Sequence, residues 1–482
     1  MKPKNVVFFI TDGHRADALG CYGNPLLETP CIDAFAAEGT RFTRSFCSHT
    51  VCMPTRASIY TGRYPHIHGV WANGVELPRS EVTLPGALAE HGVATCAAGK
   101  IHFEPQQRHA NQHIEARPDS VHPGQTVPLV DVPYYGFQEV HMTENFLGRE
   151  YVDFLARECP GMLDRAYSRQ AVPEAAHELT WTTTQAIDFI ERQTAAGRPF
   201  FCHCSYHELV PPCHVPEEYA GHYDPADMPV PELREDDLAR KPDWYRQCYE
   251  GYVARGRHPD EPELRRIMAT YYDQARFLDT QFGRLVQALK RLGVWDDTIV
   301  LFTSDHGLSL NDHWQWRHGP FLFDEVIHVP MIWHVPGADS GGSVIDAMVE
   351  QVDIMPTVLD LCGIDPQPGV QGHSIAPLLR GDDGASGRES VLVQEREAPD
   401  LAARGLDPTS VDQVGVRTQD WKLIHYAGRP YGELYDLRND PGEFVNLWAD
   451  SGYGRQRTTM ERLLLDRLAD ARDPLPVRTY DW

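Results

Sequence analysis

Residues 6–12, which read VVFFITD, decide the fold class of this chain of 482 residues. Five apolar residues that lead directly into a Thr-Asp pair are typical of a strand that is buried on both faces of a parallel sheet. Residues 298–307, TIVLFTSDHG, repeat this pattern, and residues 199–206, PFFCHCSY, form a third run of the same kind. Because parallel sheets of this type are covered by helices, the sequence predicts an α/β fold.

Acidic side chains stand where the first two of these predicted strands end. Asp12 follows one apolar run, and Asp305 follows the other with His306 beside it. The carboxyl ends of parallel strands are where such sheets build their sites, and two carboxylates repel each other unless a cation or proton lies between them. These three side chains are therefore predicted to bind one divalent metal ion, for which Ca²⁺, Mg²⁺ and Mn²⁺ are the candidates. The alternative is that each side chain caps a helix or a turn.

Residues 51–63, VCMPTRASIYTGR, are predicted to form one short helix, because proline stands just inside its start and glycine near its end. Cys52 then lies at the amino end of this helix, where free backbone N–H groups and the helix dipole favour an anion. Arg56 lies one turn further along, so its guanidinium can reach back towards the same place. The alternative interpretation is a buried cysteine beside a solvated arginine.

Outside these segments, the chain is predicted to contain one long helix and two irregular regions. Residues 262–292 carry apolar residues at helical spacing between Pro262 and Gly293, which suit the start and the end of a helix. Residues 103–180 and 216–261 are rich in proline, acidic residues and histidine, and are predicted to form loops and short helices over the sheet. Such connections are the usual place for substrate selectivity.

A domain boundary is predicted at residues 381–384, GDDG, between a catalytic domain of residues 1–381 and a C-terminal subdomain of residues 382–482. Alternating apolar and polar residues in this subdomain predict a small antiparallel sheet, which a helix follows. The segments predicted to form the sheet and the helix are residues 414–426, 432–437 and 459–470.

The composition excludes several kinds of partner. The chain has 69 acidic and 44 basic residues, a formal net charge of −25 at pH 7, and such a surface repels nucleic acids and anionic membranes. No apolar run reaches the ~18 residues that a membrane span needs, and the start of the chain shows no signal-peptide cleavage site. The 11 cysteines have no disulfide-like spacing, so reduced thiols and a cytoplasmic location are predicted.

Residues 52–62 carry the pattern Cys-x-Pro-x-Arg-Ala-Ser-x-x-Thr-Gly, which is similar to the signature of the formylglycine-dependent (type I) sulfatases of the alkaline phosphatase superfamily. Each further similar motif is weak alone, but the order and spacing of the motifs together are highly specific. These motifs are residues 11–15 (TDGHR), 99–102 (GKIH), 303–307 (TSDHG), 329–332 (VPMI), 353–357 (DIMPT), 433–437 (ELYDL) and 440–447 (DPGEFVNL).

This resemblance implies an alkaline-phosphatase-like α/β sandwich, with a large mixed, mostly parallel sheet and a small C-terminal antiparallel-sheet subdomain. It implies hydrolysis of small-molecule sulfate monoesters, with aryl sulfates as the first candidates, and it ranks Ca²⁺ first among the metals. A formylglycine-generating maturation enzyme would oxidise Cys52 to formylglycine, whose hydrate would contact the metal and attack sulfur. The alternatives are a phosphonate monoester or phosphodiester hydrolase of the same superfamily, and a catalytically inactive binding homologue. Whether the chain forms a homo-oligomer stays open.

The resemblance also implies roles for three side chains around the nucleophile. Arg56 and Lys100 would neutralise the sulfate oxygens, which is the electrostatic stabilisation that dominates transfer of charged groups. His102 would be the base that removes a proton so that sulfate is expelled and the aldehyde is restored. The alternative for Lys100 is a solvated surface lysine.

Three positions depart from the family pattern. Gly13 offers no side-chain ligand where most members have an acidic or amide residue. Val210 stands where the family has a histidine, and the candidates to replace it are His207, which ranks first, and His214. His318 aligns with an active-site lysine and is predicted to contact the anion and protonate the leaving oxygen, because an unperturbed histidine pKa of ~6.5 suits that step.

One segment concentrates metal-binding side chains, namely Cys202, Cys204, His207, Cys213 and His214. Residues two apart on a strand share a face and seldom chelate alone. Because no paired Cys-x-x-Cys occurs elsewhere in the chain, a structural zinc site is not predicted in this segment.

Overall fold

The computed structural model describes residues 4–105, 131–144, 149–168, 170–338, 341–396, 401, 406–407 and 411–475. Its strands are β1 Asn5–Thr11, β2 Thr40–Phe46, β3 Ala94–Gly99, β4 Glu139–Met142, β5 Phe200–Ser205, β6 Thr298–Ser304, β7 Ser309–Leu310, β8 Trp316–Arg317, β9 Met331–His334, β10 Ser343–Glu350, β11 Val391–Glu395, β12 Gln413–Arg417, β13 Trp421–Tyr426 and β14 Gly432–Asp436. Its α-helices are α1 Pro30–Glu38, α2 Cys52–Thr61, α3 Pro65–His68, α4 Leu84–Glu90, α5 Arg149–Glu158, α6 Met162–Tyr167, α7 Glu178–Ala195, α8 Asp237–Arg240, α9 Asp243–Ala254, α10 Glu261–Arg291, α11 Asp324–Ile327, α12 Ile354–Leu361, α13 Ala376–Arg380 and α14 Gly454–Asp470.

Eight strands form one large sheet in the order β10–β2–β9–β6–β1–β5–β3–β4. Within this sheet β9 runs antiparallel to both of its neighbours, and the other pairs are parallel. The three strands predicted from their apolar runs are adjacent at its centre, where Val6 of β1 lies between Phe201 of β5 and Ile299 of β6. The predicted mixed, mostly parallel sheet is therefore confirmed.

Helices cover both faces of this sheet, which explains the unbroken apolar sequence of its central strands. Val7 and Phe9 of β1 point into a core that contains Phe282 of α10. Val6 and Phe8 point into the opposite core, which contains Ile59 of α2 and residues of α12. The long helix predicted at residues 262–292 is α10, which Asp260 caps at its amino end.

The four strands β11–β14 form a separate antiparallel sheet in sequence order. Helix α14 packs on it, since Met460 and Leu464 share a buried cluster with Leu423 and Leu434. The helix starts at Gly454 and not at residue 459 as predicted, because its first turn contains no apolar residue and so carries no apolar pattern. The α/β fold with a small antiparallel sheet is confirmed, and the domain boundary at residue 381 stays a prediction.

The segments predicted to be irregular connect these elements. Among the described residues of 103–180 and 216–261 the structure has β4, the start of α7, four short α-helices and loops. Residues 106–130 lie outside the described residues. Within the described part of the chain, no helix combines the length and the apolar character that crossing a membrane requires.

Candidate active site

The carboxyl ends of two neighbouring parallel strands bring Asp12 and Asp305 together. Thr11 of β1 pairs with Ser304 of β6, so the residue that follows each strand lies at the same edge of the sheet. The Asp305 N–H donates to the Thr11 carbonyl at 3.1 Å, and the Gly13 N–H donates to Asp305 Oδ1 at 3.3 Å. Both carboxylates are fully buried, so each needs a cation or a set of donors nearby.

Helix α2 presents Cys52 to these carboxylates. Cys52 is its first residue, after an extended Val51, and the helix ends at Gly62, which has a left-handed φ of 65°. The Cys52 Sγ atom lies 3.6 Å from Asp12 Oδ2 and 3.3 Å from His306 Nε2. The predicted short helix with a cysteine at its amino end is confirmed, and its thiol lies beside the two strand ends.

The residues predicted to bind a metal form one compact set of donor atoms. Ligand atoms of Asp12, Cys52, Asp305 and His306 all lie within 4.8 Å of one another. The Nδ1 atom of His306 lies 2.8 Å from the Gly307 carbonyl, which can only accept, so Nδ1 carries the proton and Nε2 faces the carboxylates. Two carboxylates and an imidazole nitrogen fit a divalent cation such as Ca²⁺, Mn²⁺ or Mg²⁺.

Two buried cations complete the charge of this cluster. The Arg56 guanidinium donates through Nε to Asp305 Oδ2 at 2.8 Å and through one terminal nitrogen to the Lys100 carbonyl and Ser205 Oγ, both at 2.9 Å. The Lys100 ammonium donates to the Asp12 carboxylate. Burial alone would raise the pKa of the Asp12 carboxyl. The positive charges of Lys100 and His306 lower it by more, so this pKa lies well below its usual range. Lys100 is thus a buried member of the site and not a solvated surface lysine.

His102 lies on the segment that follows β3 and is buried. Its backbone has a φ of 60°, a left-handed value that is uncommon outside glycine. The Glu144 carboxylate accepts the N–H groups of Ile101 and His102 and so fixes this turn. Sequence reasoning did not single out Glu144, although its position two residues after a sheet strand is the signal that could have found it.

His318 lies against the same cluster, with its ring centre 4.8 Å from that of His306. Its Nδ1 atom is buried and has no hydrogen-bond partner among the described residues. Burial and the neighbouring His306 lower the pKa of His318 to about 3, so it does not have the near-neutral value on which its predicted role was based. The role of His318 as a proton donor stays a prediction, and its position beside Cys52 and His306 agrees with anion contact.

His207 lies in a buried acidic setting. Its Nε2 atom is 3.1 Å from Glu178 Oε2, and its Nδ1 atom is 3.6 Å from Glu208 Oε1. Burial and then Lys100 hold the pKa of His207 well below its usual value. His214 accepts through its backbone carbonyl from His177 Nε2 at 2.7 Å. Whether either histidine replaces the family histidine stays a prediction.

Two of the departures from the family pattern are in contact with each other. Gly13 has a φ of +69°, and a Cβ atom added there would lie 3.0 Å from Cγ2 of Val210. The valine side chain thus occupies the space that a side chain at residue 13 would need. Sequence reasoning treated Gly13 and Val210 as independent changes, and the structure shows that they form one packed pair.

Sequence reasoning also missed Ser205 and Asn73. Ser205 ends β5 and accepts a hydrogen bond from Arg56, so the strand-end argument that found Asp12 and Asp305 could have found it. The side-chain oxygen of Asn73 accepts the Met53 N–H at 2.9 Å, next to Cys52 at the amino end of α2. No local pattern marks Asn73, because it reaches the helix from a loop 20 residues away.

Comparison with known proteins agrees with this fold. Residues 4–364 match the family model described as "Sulfatase", and residues 312–470 match "N-sulphoglucosamine sulphohydrolase, C-terminal". The chain is 28% identical to "Uncharacterized sulfatase YidJ" of Escherichia coli (strain K12), over 100% of this chain and 90% of that protein. It is 27% identical to "Arylsulfatase" of Clostridium perfringens (strain 13 / Type A), over 97% of this chain and 95% of that protein.

A solved structure extends this comparison to the three-dimensional fold. The phosphonate monoester hydrolase of Agrobacterium radiobacter superposes with a TM-score of 0.81 and 27% sequence identity, covering 98% of this chain and 97% of that one. The fold and the buried cluster define a hydrolase with an α/β fold that belongs to the alkaline phosphatase superfamily. Since the family model spans residues 4–364, the chain belongs to the sulfatase family.

Proposed function

We propose that this chain hydrolyses sulfate monoesters, with aryl sulfates as the first candidates, through a nucleophile made from Cys52. The observation that carries the proposal is the position of the Cys52 thiol, 3.3 Å from His306 Nε2 and 3.6 Å from Asp12 Oδ2. The relatives named sulfatase and arylsulfatase support a sulfate ester as substrate.

The thiol of Cys52 marks the place where the oxygens of formylglycine would lie after oxidation by a maturation enzyme. Asp12, Asp305 and His306 would hold one divalent cation beside it, with Ca²⁺ ranked first and Mn²⁺ and Mg²⁺ as alternatives. Formylglycine would supply a hydrated aldehyde as the nucleophile. The bound cation would supply a positive charge that stabilises the deprotonated hydrate near neutral pH.

The other side chains of the site bind and orient the sulfate group. Arg56 is fixed at Nε by Asp305, and its second terminal nitrogen, Nη2, is buried without a hydrogen-bond partner among the described residues. An anionic oxygen of the substrate would satisfy that nitrogen. Lys100 balances the charge of Asp12 and would turn towards the sulfate when a cation takes over Asp12.

His102 is proposed as the base that removes a proton when sulfate is expelled. The Glu144 carboxylate holds the backbone of Ile101 and His102, so the imidazole is positioned from a fixed turn. A general base acts only within hydrogen-bond reach of the proton that it removes, and such a fixed turn keeps that reach constant.

The alternative function is hydrolysis of phosphonate monoesters or phosphodiesters, which the structural likeness to the Agrobacterium radiobacter enzyme favours. Lys100 and His102 favour sulfate, because the family resemblance implies neutral hydroxyl residues at these two positions in the phosphonate-hydrolysing relatives. An inactive binding homologue is the third candidate. The buried set of Cys52, Arg56, Lys100, Asp12 and Asp305 disfavours it, because removing this many charged groups from water is costly even when they are paired.

Two measurements test this proposal. The protein is produced with a formylglycine-generating enzyme, and the peptide that carries residue 52 is analysed by mass spectrometry, with an aldehyde in place of the thiol expected. Values of kcat/KM are then compared on an aryl sulfate and an aryl phosphonate with the same leaving group, and a higher value is expected on the sulfate. A higher value on the phosphonate would favour the alternative, and an unmodified thiol without turnover would favour a binding homologue.

A further inference from the structure

The outer edge of the large sheet carries a second cluster of metal-binding side chains, separate from the active site. Cys96 lies on β3, and Glu139 and His141 lie on the neighbouring edge strand β4. Cys96 and Glu139 are register partners, so their side chains lie side by side on the same face of the sheet. One ligand atom of each of the three residues lies within 4.8 Å of the other two.

Both ring nitrogens of His141 contact carboxylates, and one of these carboxylates belongs to the proposed ligand Glu139. Its Nε2 atom lies 2.8 Å from Glu139 Oε1, and its Nδ1 atom lies 2.7 Å from Glu150 Oε2 on α5. A histidine that binds a metal through one ring nitrogen usually donates its other N–H to a carboxylate, which fixes the ring and increases its basicity. Glu150 is placed to accept from Nδ1 and would leave Nε2 for a metal ion.

We propose that Cys96, Glu139 and His141 bind one Zn²⁺ ion. A thiolate, an imidazole nitrogen and a carboxylate oxygen are the three kinds of ligand that zinc takes in proteins, whereas Ca²⁺ and Mg²⁺ prefer oxygen alone. The fourth position of a tetrahedral site would be filled by water.

The charges at the cluster suit a dication. Glu139 also forms an ion pair with Arg192 of α7, and Glu150 pairs with His141. With His141 neutral, as a metal ligand must be, a thiolate at Cys96, the two glutamates and Arg192 would carry a formal charge of −2, which one Zn²⁺ ion neutralises. Cys96 is fully buried while the side chains of His141 and Glu139 are 20% and 30% exposed, so an ion could enter from the solvent side.

A zinc ion bound here would cross-link the edge strand β4 to β3 through its ligands. The contact between His141 and Glu150 would connect it to α5. Cys96 lies four residues before Lys100 on the strand that leads to the active site, and Glu144 follows β4 and fixes His102. The ion would therefore stabilise the strand pair from which two active-site residues extend. The zinc site requires no sulfatase activity, so it is tested independently of the proposed function.

The test uses Co²⁺ as a spectroscopic substitute for Zn²⁺ in the full-length protein. The variant Cys52→Ser serves as the background, so that a thiolate at residue 52 makes no contribution. We expect Co²⁺ to produce a thiolate-to-metal charge-transfer band in the near ultraviolet, and equimolar Zn²⁺ to remove it. Adding Cys96→Ser should abolish the band, because the only sulfur among the three ligands is gone.

Cys204→Ser is the matched control, since Cys204 is an equally buried thiol on the adjacent strand β5 and bonds to the Tyr206 hydroxyl. This control should keep the band. Circular dichroism checks the fold of each variant, and His141→Gln, at a less buried position, replaces Cys96→Ser if the latter does not fold. Glu150→Gln should weaken zinc binding about ten- to a hundred-fold in a competition titration. Absence of the band in the background protein, its persistence in Cys96→Ser, or an unchanged Co²⁺ affinity in His141→Gln would overturn the proposal.

Discussion

At the scale of single residues, the contact between Gly13 and Val210 separates this site from the pattern of its family. Gly13 directly follows Asp12, which is proposed as a metal ligand, and its φ of +69° lies in the left-handed region. A valine methyl group fills the space beside it. The site therefore has an apolar wall at the place where a further polar ligand would be expected. A cation held by Asp12, Asp305 and His306 would receive no ligand from residue 13 and would complete its coordination with residue 52, water or substrate.

Gly13→Ala is expected to destabilise the protein by about 2–4 kcal/mol, because a left-handed backbone costs about 1–2 kcal/mol for a residue with a Cβ atom and overpacking adds a similar amount. Gly92→Ala is the matched control, since Gly92 has a φ of +81° but nothing within 4 Å of the added Cβ. Gly92→Ala should lose only the about 1–2 kcal/mol of stability that the left-handed backbone costs, without the overpacking cost. Urea unfolding of both variants checks this difference.

The double variant Gly13→Ala/Val210→Ala should be less destabilised than the sum of the two single variants, because removing the valine methyl groups relieves the contact. Additive losses in urea unfolding would contradict a direct contact between the two residues.

At the scale of elements, the small antiparallel sheet holds the loop that leads to Cys52, the proposed nucleophile. The Gln394 N–H of β11 donates to the Ser48 carbonyl at 3.0 Å, and the Thr50 hydroxyl donates to the buried Glu395 carboxylate. His49 Nδ1 lies 3.4 Å from the same carboxylate. Cys52 thus takes its position from α2 on one side and from a strand more than 300 residues later on the other.

Thr50→Val keeps the shape of the side chain and removes its hydroxyl, so it should cost about 1.5–3 kcal/mol, the usual size of a hydrogen bond to a charged group. We also expect kcat/KM to fall about ten- to a hundred-fold, because small displacements of a reacting group are costly. The measurements are urea unfolding and steady-state kinetics on an aryl sulfate.

Thr270→Val is the control for this variant, since the Thr270 hydroxyl is exposed and bonds only to a carbonyl within its own helix α10. It should change stability by less than about 0.5 kcal/mol and leave kcat/KM unchanged. Equal effects of the two variants on kcat/KM would show that β11 does not position the nucleophile loop.

At the scale of the whole molecule, buried neutral histidines make stability depend on pH. Burial lowers the pKa of His68 and His203 to about 3 and that of His177 to about 4. In each of them Nδ1 accepts a hydrogen bond, from the Val70 N–H, the Tyr60 hydroxyl and the Leu179 N–H respectively. Protonation in the folded state would break these bonds.

The sign of the effect follows from the direction of these pKa shifts. In the unfolded chain a histidine takes up a proton near its ordinary pKa of ~6.5, whereas these three stay neutral in the folded protein. Their contribution to stability is fully present above pH ~6.5 and is lost as the pH falls towards 3–4. Each should remove about 1.4 kcal/mol per pH unit within that window.

The urea midpoint is therefore expected to fall steadily between pH 7 and pH 5. The thermal midpoint should follow the same trend, because both report the same proton uptake on unfolding. A constant urea midpoint over this range would contradict the buried, neutral state of these histidines.

Much of the site followed from local sequence. The apolar runs of β1 and β6 and the acidic residue after each are local patterns, and parallel pairing places such residues at one edge whatever the rest of the chain does. The helix of residues 52–61 likewise follows from proline near its start and glycine after its end. The part of the fold and site that strand and helix periodicity encode was therefore predictable.

The remainder depended on segments that meet only in the folded chain. Val210 against Gly13, Glu144 beneath His102 and Glu395 against Thr50 join residues that are 42 to 345 positions apart, and no local pattern encodes which side chains meet over such separations. The lowered pKa of His318 is also a result of burial beside His306 and not of its own sequence. The sequence by itself determined the strands, the nucleophile helix and the acidic strand ends, because these obey local periodicity. Tertiary structure alone decided the contacts and charges around them, because packing between distant segments sets both.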